Sequence, residues 1–187
     1  MVMDTALQTV FDATLARLAR AAVDGKSPWR LPILATISAD LGPQARIVVL
    51  RAFDRAQMRF TAYTDARTPK RAEIAGDPRT TLLFWDKGVS LQLRASAHAR
   101  IETEGPAVDA AKARLGDYQG SDYARWAVPG SPAEAAETRL HEDPLAHFAL
   151  LTLTADRLDW LELARTGHRR ALFSRSDAGW DGVWTVP

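Results

Sequence analysis

RIVVLRAF at Arg46–Phe53 and YTDARTPK at Tyr63–Lys70 are the most informative stretches of this chain. The first is a β-type apolar run flanked by arginines, and the second leads through Thr68-Pro69 into a predicted helix. Cationic and hydroxyl side chains therefore meet the unpaired N–H groups of a helix start. Both features stabilise negative charge, so this environment favours a phosphate dianion. We expect the chain to bind a phosphorylated small molecule here.

The composition fits one soluble globular domain. The chain has 187 residues, and its 24 basic and 23 acidic residues leave a net charge of +1, which disfavours nucleic-acid or anionic-membrane binding. The lack of cysteine excludes disulfides, thiolate catalysis and cysteine-ligated metal centres. With no signal pattern and no apolar run of about 18 residues, we expect a cytoplasmic protein without a membrane span.

Helical signals occur in four places. Gly25 ends the first periodic segment, and Thr68 is the predicted N-cap of the second, with Pro69 at its first helical position. The predicted helices are Asp4–Val23, Pro69–Gly76, Ala107–Leu115 and Ala133–Leu140.

Nine β-type segments, separated by turn residues, make up most of the remaining chain. They are Leu31–Ser38, Ala45–Phe53, Met58–Tyr63, Arg79–Asp86, Val89–Thr103, Phe148–Leu153, Arg157–Ala164, His168–Arg175 and Trp180–Val186. Helices do not alternate regularly with strands, so the pattern indicates an antiparallel barrel decorated by helices. We expect one domain over 1–187, with an N-terminal helix in 1–25, a helical insertion in 105–147 and C-terminal strands in 148–187.

The order of these segments resembles the pyridoxamine 5′-phosphate oxidase-like, FMN-binding split-barrel family. The pieces that carry the resemblance are RIVVLRAF, YTDARTPKRAEIAGDPRTTLLFW at Tyr63–Trp85, LQLRASAHARIE at Leu91–Glu102 and RLDWLELARTGHRRALFSR at Arg157–Arg175. The resemblance implies a mainly β fold, namely a six-stranded antiparallel split β-barrel with flanking helices. It also implies a homodimer with FMN sites at the subunit interface.

The resemblance assigns roles to individual residues. The FMN phosphate would be held by Arg46, Thr68 and Lys70. The flavin ring would lie along Val48, Val49 and Leu50, and the ribityl-phosphate arm would contact Tyr63 and Thr64. The matching positions for a glutamine from the neighbouring subunit and for two C-terminal flavin contacts are Gln92, Trp160 and Arg170. The catalytic or substrate-side candidates are Arg51, which is also placed near the ring, and His168.

Two of these assignments depend on local geometry. Arg46 and Arg51 lie five residues apart, so on one ideal strand they would face opposite sides. We therefore assign Arg46 to the phosphate and Arg51 to the ring or substrate, with a solvated strand end as the alternative. The family usually has a basic residue where Pro69 stands. Unless Arg67 or Arg71 replaces it, FMN should be held less tightly.

Aromatic and histidine residues have ordinary structural explanations as well. Trp160 on a strand is typical of a core aromatic, and His168 could be a surface turn residue. Alternatively, His168 could donate a hydrogen bond to a substrate or transfer protons at neutral pH. His98, His141 and His147 show no metal-ligand spacing with carboxylates, so we expect no metal site.

The expected function is FMN-dependent oxidation or reduction of a small molecule, because flavin supplies two-electron chemistry and no competing catalytic motif is present. Genuine pyridoxamine 5′-phosphate oxidase activity is an alternative. Family enzymes with that activity have an arginine where this chain has Thr166, so the substrate end has diverged. A non-catalytic flavin binder or a haem-binding relative is the remaining alternative.

Overall fold

The computed structural model describes residues 3–115, 123–132 and 139–187. Helix α1 spans Thr5–Val23, and the side chain of Asp4 caps it by accepting a 2.7 Å hydrogen bond from the backbone N–H of Leu7. One face of α1 is buried in the core through Leu7, Phe11, Leu15 and Leu18. The predicted N-terminal helix is therefore confirmed.

Two short helices follow along the chain. Helix α2 spans Pro69–Gly76 and has the predicted bounds, with Thr68 as its N-cap, whereas α3 spans Pro106–Lys112 and ends earlier than predicted. The prediction over Ala133–Leu140 falls mainly on residues 133–138, which lie outside the described part of the chain. Leu140 is described, and it forms an antiparallel bridge with Arg125.

Nine antiparallel strands form one sheet in the described part of the chain. Their bounds are β1 Ile33–Ser38, β2 Gly42–Ile47, β3 Ala52–Asp54, β4 Arg59–Asp65, β5 Arg79–Asp86, β6 Leu91–Glu102, β7 Phe148–Glu162, β8 Arg169–Ser176 and β9 Gly179–Thr185. The spatial order is β2-β1-β5-β6-β7-β4-β3, with β8 on β7 and β9 on β8. This is the helix-decorated antiparallel architecture that the sequence predicted.

Strand β7 organises the barrel because it has three partners. It pairs with β6 along its length, with β4 over 148–154 and with β8 over 157–162. The two predicted strands Phe148–Leu153 and Arg157–Ala164 are therefore one strand, and the predicted break between them was wrong. The register against β6 shifts at Ser96/Ala97, so β7 accommodates an unpaired residue, Asp156, as a bulge and pairing continues on both sides.

The predicted strand Ala45–Phe53 is two strands, β2 and β3, separated by residues 48–51. The chain changes partner here. The N–H of Val48 donates to the carbonyl of Pro32 near β1, whereas the N–H of Arg51 donates to the carbonyl of Thr61 on β4. A segment that crosses between two strands cannot continue the ladder of either one. Arg46 and Arg51 therefore do not lie on one strand, and the prediction that they face opposite sides of a single strand was wrong.

The inner face of the sheet forms the core. Adjacent strands contribute Leu34, Leu82 and Ala95, which share one register row and are almost fully buried. The largest buried rings are Trp29, Phe60, Phe84 and Phe173. No helix in the described residues is long and apolar enough to cross a membrane.

Candidate functional site

A cradle of hydroxyl and ammonium groups lies at the start of α2. The Nζ of Lys70 donates to Thr64 Oγ1 at 2.7 Å and to Thr68 Oγ1 at 2.9 Å. Thr64 is at the end of β4, and Thr68-Pro69 begins the helix, so the strand end and the helix start bring these groups together. The Thr68 hydroxyl makes no N-capping bond to α2 and donates instead to the carbonyl of Asp65.

A second cluster is built around Arg46 on β2. Its Nη1 donates to the Thr36 hydroxyl, and its Nη2 donates to Glu73 Oε2 at 2.8 Å. Thr36 also donates to the same Glu73 oxygen, at 2.5 Å. Arg46 faces the inner side of the barrel because its register partner on β1 is the buried Leu34. Glu73 was not among the predicted site residues, although its position three residues after Lys70 places both on one face of α2.

The two clusters influence each other electrostatically. Burial lowers the pKa of Lys70, and the nearby Arg46 guanidinium lowers it further, whereas Asp65 and Glu73 oppose the shift. Two cations that repel each other in a partly buried site would both be stabilised by a bound anion. This arrangement suits a phosphate group.

The two arginines on either side of Thr68-Pro69-Lys70, Arg67 and Arg71, differ in their contacts. The Arg67 guanidinium is held by Asp65 at 2.7 Å and by the backbone carbonyls of residues 125 and 126. Arg71 is exposed and contacts only a backbone carbonyl, at 3.4 Å, among the described residues. Pro69 lies beside Gly130, where an added Cβ would be 3.7 Å from the proline ring. The chain around Gly130 therefore packs against Pro69.

The crossing segment 48–51 contributes mainly backbone. The side chain of Leu50 is buried in the core, so only its backbone is available to a flavin, and its N–H already donates to the carbonyl of Arg30. Val48 packs partly against the core. Val49, between them, is half-buried.

A separate cationic pocket of about 280 Å³ lies on the outer face of β4, β7 and β6, beside α3. Its lining includes four arginines and one glutamate: Arg51, Arg59, Arg100, Arg114 and Glu102. Arg59 forms an ion pair with Asp54 at 3.4 Å, and Arg100 forms one with Glu102 at 3.3 Å. The other two arginines, Arg51 and Arg114, form no ion pair within the described ranges.

Arg51 is held in this pocket by an aromatic ring. Its guanidinium carbon is 5.3 Å from the centroid of Tyr63, and its buried Nε has no hydrogen-bond partner. Tyr63 lines this pocket, and the next residue, Thr64, accepts from Lys70, so the end of β4 connects the pocket to the cradle.

The remaining predicted contacts lie elsewhere on the barrel. Gln92 and Arg170 share a register row on the outer face, three residues along β6 from the row of Arg46 and Leu34, which corresponds to roughly 10 Å. Arg170 is paired with Asp159 at 2.8 Å. Within one chain these two residues do not join Arg46 and Lys70.

Trp160 and His168 occupy ordinary structural positions in the single chain. Trp160 is in the core, with Trp184 against its edge and Arg169 over its ring. His168 is exposed on the turn before β8. His98, His141 and His147 do not combine with other residues into a metal-binding group in the part of the chain that is described.

Comparison with known proteins identifies the class. The sequence model of the family described as pyridoxamine 5′-phosphate oxidase, FMN-binding domain, matches residues 8–103. The pyridoxine/pyridoxamine 5′-phosphate oxidase of Erythrobacter litoralis is 31% identical over 173 residues, covering 81% of this chain and 76% of that protein. The corresponding protein of Rubrobacter xylanophilus is 30% identical over 168 residues, covering 83% and 76%.

Solved structures agree on the fold. A pyridoxamine 5′-phosphate oxidase-related, FMN-binding protein from Nostoc punctiforme superposes with a TM-score of 0.76 at 24% identity, covering 94% of this chain and 96% of its own. PhzG from Burkholderia lata superposes with a TM-score of 0.71 at 15% identity, covering 100% and 98%. The split-barrel fold is therefore confirmed.

The chain belongs to the pyridoxamine 5′-phosphate oxidase family, and FMN is the cofactor of its binding domain. The described residues fit that cofactor. The cations of Arg46 and Lys70 supply N–H donors for a phosphate monoester, and the hydroxyls of Thr64 and Thr68 hold the Lys70 ammonium in place by accepting from it.

Proposed function

We propose that the protein is a cytoplasmic, homodimeric FMN-dependent oxidoreductase that acts on a small anionic substrate. Bound FMN supplies the two-electron redox chemistry. The protein would hold the FMN phosphate with Arg46 and Lys70, and it would orient the substrate with Arg51.

The observation that carries the substrate class is the pair of arginines in the outer pocket. Arg51 and Arg114 both line the pocket, and neither has a carboxylate partner in the described segments. Two cations without an anionic partner favour a ligand that brings a negative charge to them. A carboxylate or phosphate group on the substrate would do so.

The dimer is supported by the separation of the predicted flavin contacts. Gln92 and Arg170 lie on the outer face, whereas Arg46 lies on the inner side of the barrel. One chain cannot place all of them on one flavin, but two chains that meet through this outer face could. The same face exposes Ile33 and Trp85, by 38% and 43% of their surfaces, which favours its burial in an interface.

A spectrum followed by turnover tests the proposal. The purified protein should show the bands of oxidised flavin, and light scattering should give the mass of a dimer. Substrates should then be compared in pairs that differ by one anionic group, such as pyridoxamine 5′-phosphate and pyridoxamine, with oxygen or NAD(P)H as redox partner. Turnover that does not depend on the anionic group would refute the substrate class. Bound flavin without turnover of any pair would indicate a carrier, and an intense Soret band would indicate a haem protein.

Oxidation of vitamin B6 phosphates is the second candidate, favoured by the relatives that are 30–31% identical. The exposed Thr166 stands where active family enzymes have an arginine, so one expected phosphate or ring contact is missing. The same paired assay decides between the two, because genuine oxidase activity requires aldehyde formation from pyridoxamine 5′-phosphate. His168 is retained here as the candidate proton donor.

A further inference from the structure

Glu73 places a negative charge inside a site that binds an anion. Its side chain is 8% exposed, and its Oε2 accepts from both Thr36 and Arg46. Arg46 also donates to Thr36, so the three side chains form a closed ring of hydrogen bonds. Thr36 is 2% exposed, and this ring is therefore shielded from water on its β1 side.

A carboxylate at this position has two opposing effects on a phosphate ligand. Its charge cancels part of the attraction from Arg46 and Lys70. However, a guanidinium has five N–H donors, and Glu73 and Thr36 engage only part of them, which leaves others for a ligand. By fixing the long Arg46 side chain before the ligand arrives, Glu73 reduces the conformational entropy that binding would cost.

We propose that Glu73 is a positioning residue that holds the Arg46 guanidinium ready for the FMN phosphate, at the expense of charge attraction. The inference rests on the proposed role of Arg46 in phosphate binding. It predicts that the acceptor atoms of Glu73 strengthen FMN binding, whereas its charge weakens it.

Two variants of similar size separate these effects. Glu73→Gln keeps an oxygen acceptor for Arg46 and Thr36 but removes the charge, whereas Glu73→Met removes both. Dissociation constants for FMN and riboflavin would be measured on the apoproteins by flavin fluorescence, with circular dichroism to verify folding. Glu73→Gln should bind FMN about 3- to 10-fold more tightly than the wild type, because one neighbouring negative charge is gone.

Glu73→Met should bind FMN about 10-fold more weakly than Glu73→Gln, because Arg46 loses its fixed acceptor. Riboflavin affinity should be the same in all three proteins, since riboflavin lacks the phosphate.

Equal FMN affinity of the Gln and Met variants would overturn the positioning role, and so would parallel losses for riboflavin, which would indicate a purely structural effect. Glu73→Gln binding no more tightly than the wild type would overturn the charge effect. If the wild type itself binds FMN no better than riboflavin, the phosphate role of Arg46 fails instead. That outcome is distinct from failure of the Glu73 inference.

Discussion

Replacing Lys70 by methionine tests the phosphate cradle directly. The variant keeps the length of the side chain but removes the ammonium that contacts Thr64 and Thr68 at 2.7 and 2.9 Å. A hydrogen bond to a charged group contributes about 1.5–3 kcal/mol, so the dissociation constant for FMN should rise about 10- to 100-fold. The matched control is Arg71→Met, which removes an exposed cation from the next position of the same helix. It should change FMN affinity by less than about 2-fold.

The assay is fluorescence titration of apoprotein with FMN, repeated with riboflavin. Lys70→Met should weaken the binding of FMN but leave the affinity for riboflavin unchanged, because riboflavin lacks the phosphate. Because burial lowers the pKa of Lys70, the unbound cradle loses this cation at a lower pH than an ordinary lysine would. As the pH is raised, the affinity of the wild type for FMN should therefore begin to fall at a pH below 10.5, the ordinary pKa of lysine. The Lys70→Met variant should lack this pH dependence. Equal losses in Lys70→Met and Arg71→Met would refute the cradle.

Three further changes test other parts of the structure. Arg51→Met should raise KM for the anionic substrate about 10-fold or more while FMN affinity stays constant; a rise for the uncharged analogue as well would contradict the pocket's role. Burial opposes ionisation of Asp159, but hydrogen bonds from Arg170 and Arg94 outweigh burial and lower the pKa of this carboxyl. The ionised Asp159 therefore stabilises the fold at pH values above the ordinary carboxyl pKa, and this stabilisation is lost as the pH falls through the lowered pKa. In urea unfolding, Asp159→Asn should therefore lose about 1–2 kcal/mol at neutral pH, with a smaller difference in strong acid, and a difference independent of pH would count against the charge pair. Gly182→Ala would bring a Cβ within 2.9 Å of the buried Phe173 ring and should cost about 1–3 kcal/mol in thermal unfolding, whereas Gly25→Ala, which meets nothing within 4 Å, should cost much less; equal melting temperatures would contradict the packing.

Local signals were enough to predict most of the secondary structure. Thr68 and Pro69 marked the start of α2, although the Thr68 hydroxyl makes no capping bond, and β5 was predicted at its observed bounds, Arg79–Asp86. Errors occurred where the partner of a strand changes. Residues 48–51 are apolar like a strand, but they cross between β1 and β4, and nothing in their own sequence shows that crossing.

The site was predicted unevenly for a similar reason. Lys70 and Thr68 could be placed because a helix start exposes N–H groups whatever surrounds it. The engagement of Arg46 by Glu73 and Thr36 depends on how α2 packs over β1 and β2, which is a tertiary contact. Such contacts have no periodic signature in the sequence.

The length of β7 has a consequence for how this barrel can vary. Ala149 on this 15-residue strand pairs with Thr64, and Leu161 pairs with Arg170, so one continuous strand spaces the cradle end from the outer-face arginine along a contour of roughly 40 Å. Each residue inserted or deleted between them would swap the faces of every side chain beyond it. Loops of the barrel can therefore lengthen freely, whereas β7 acts as a molecular ruler whose residue count must be kept, and the bulge at Asp156 is part of that count.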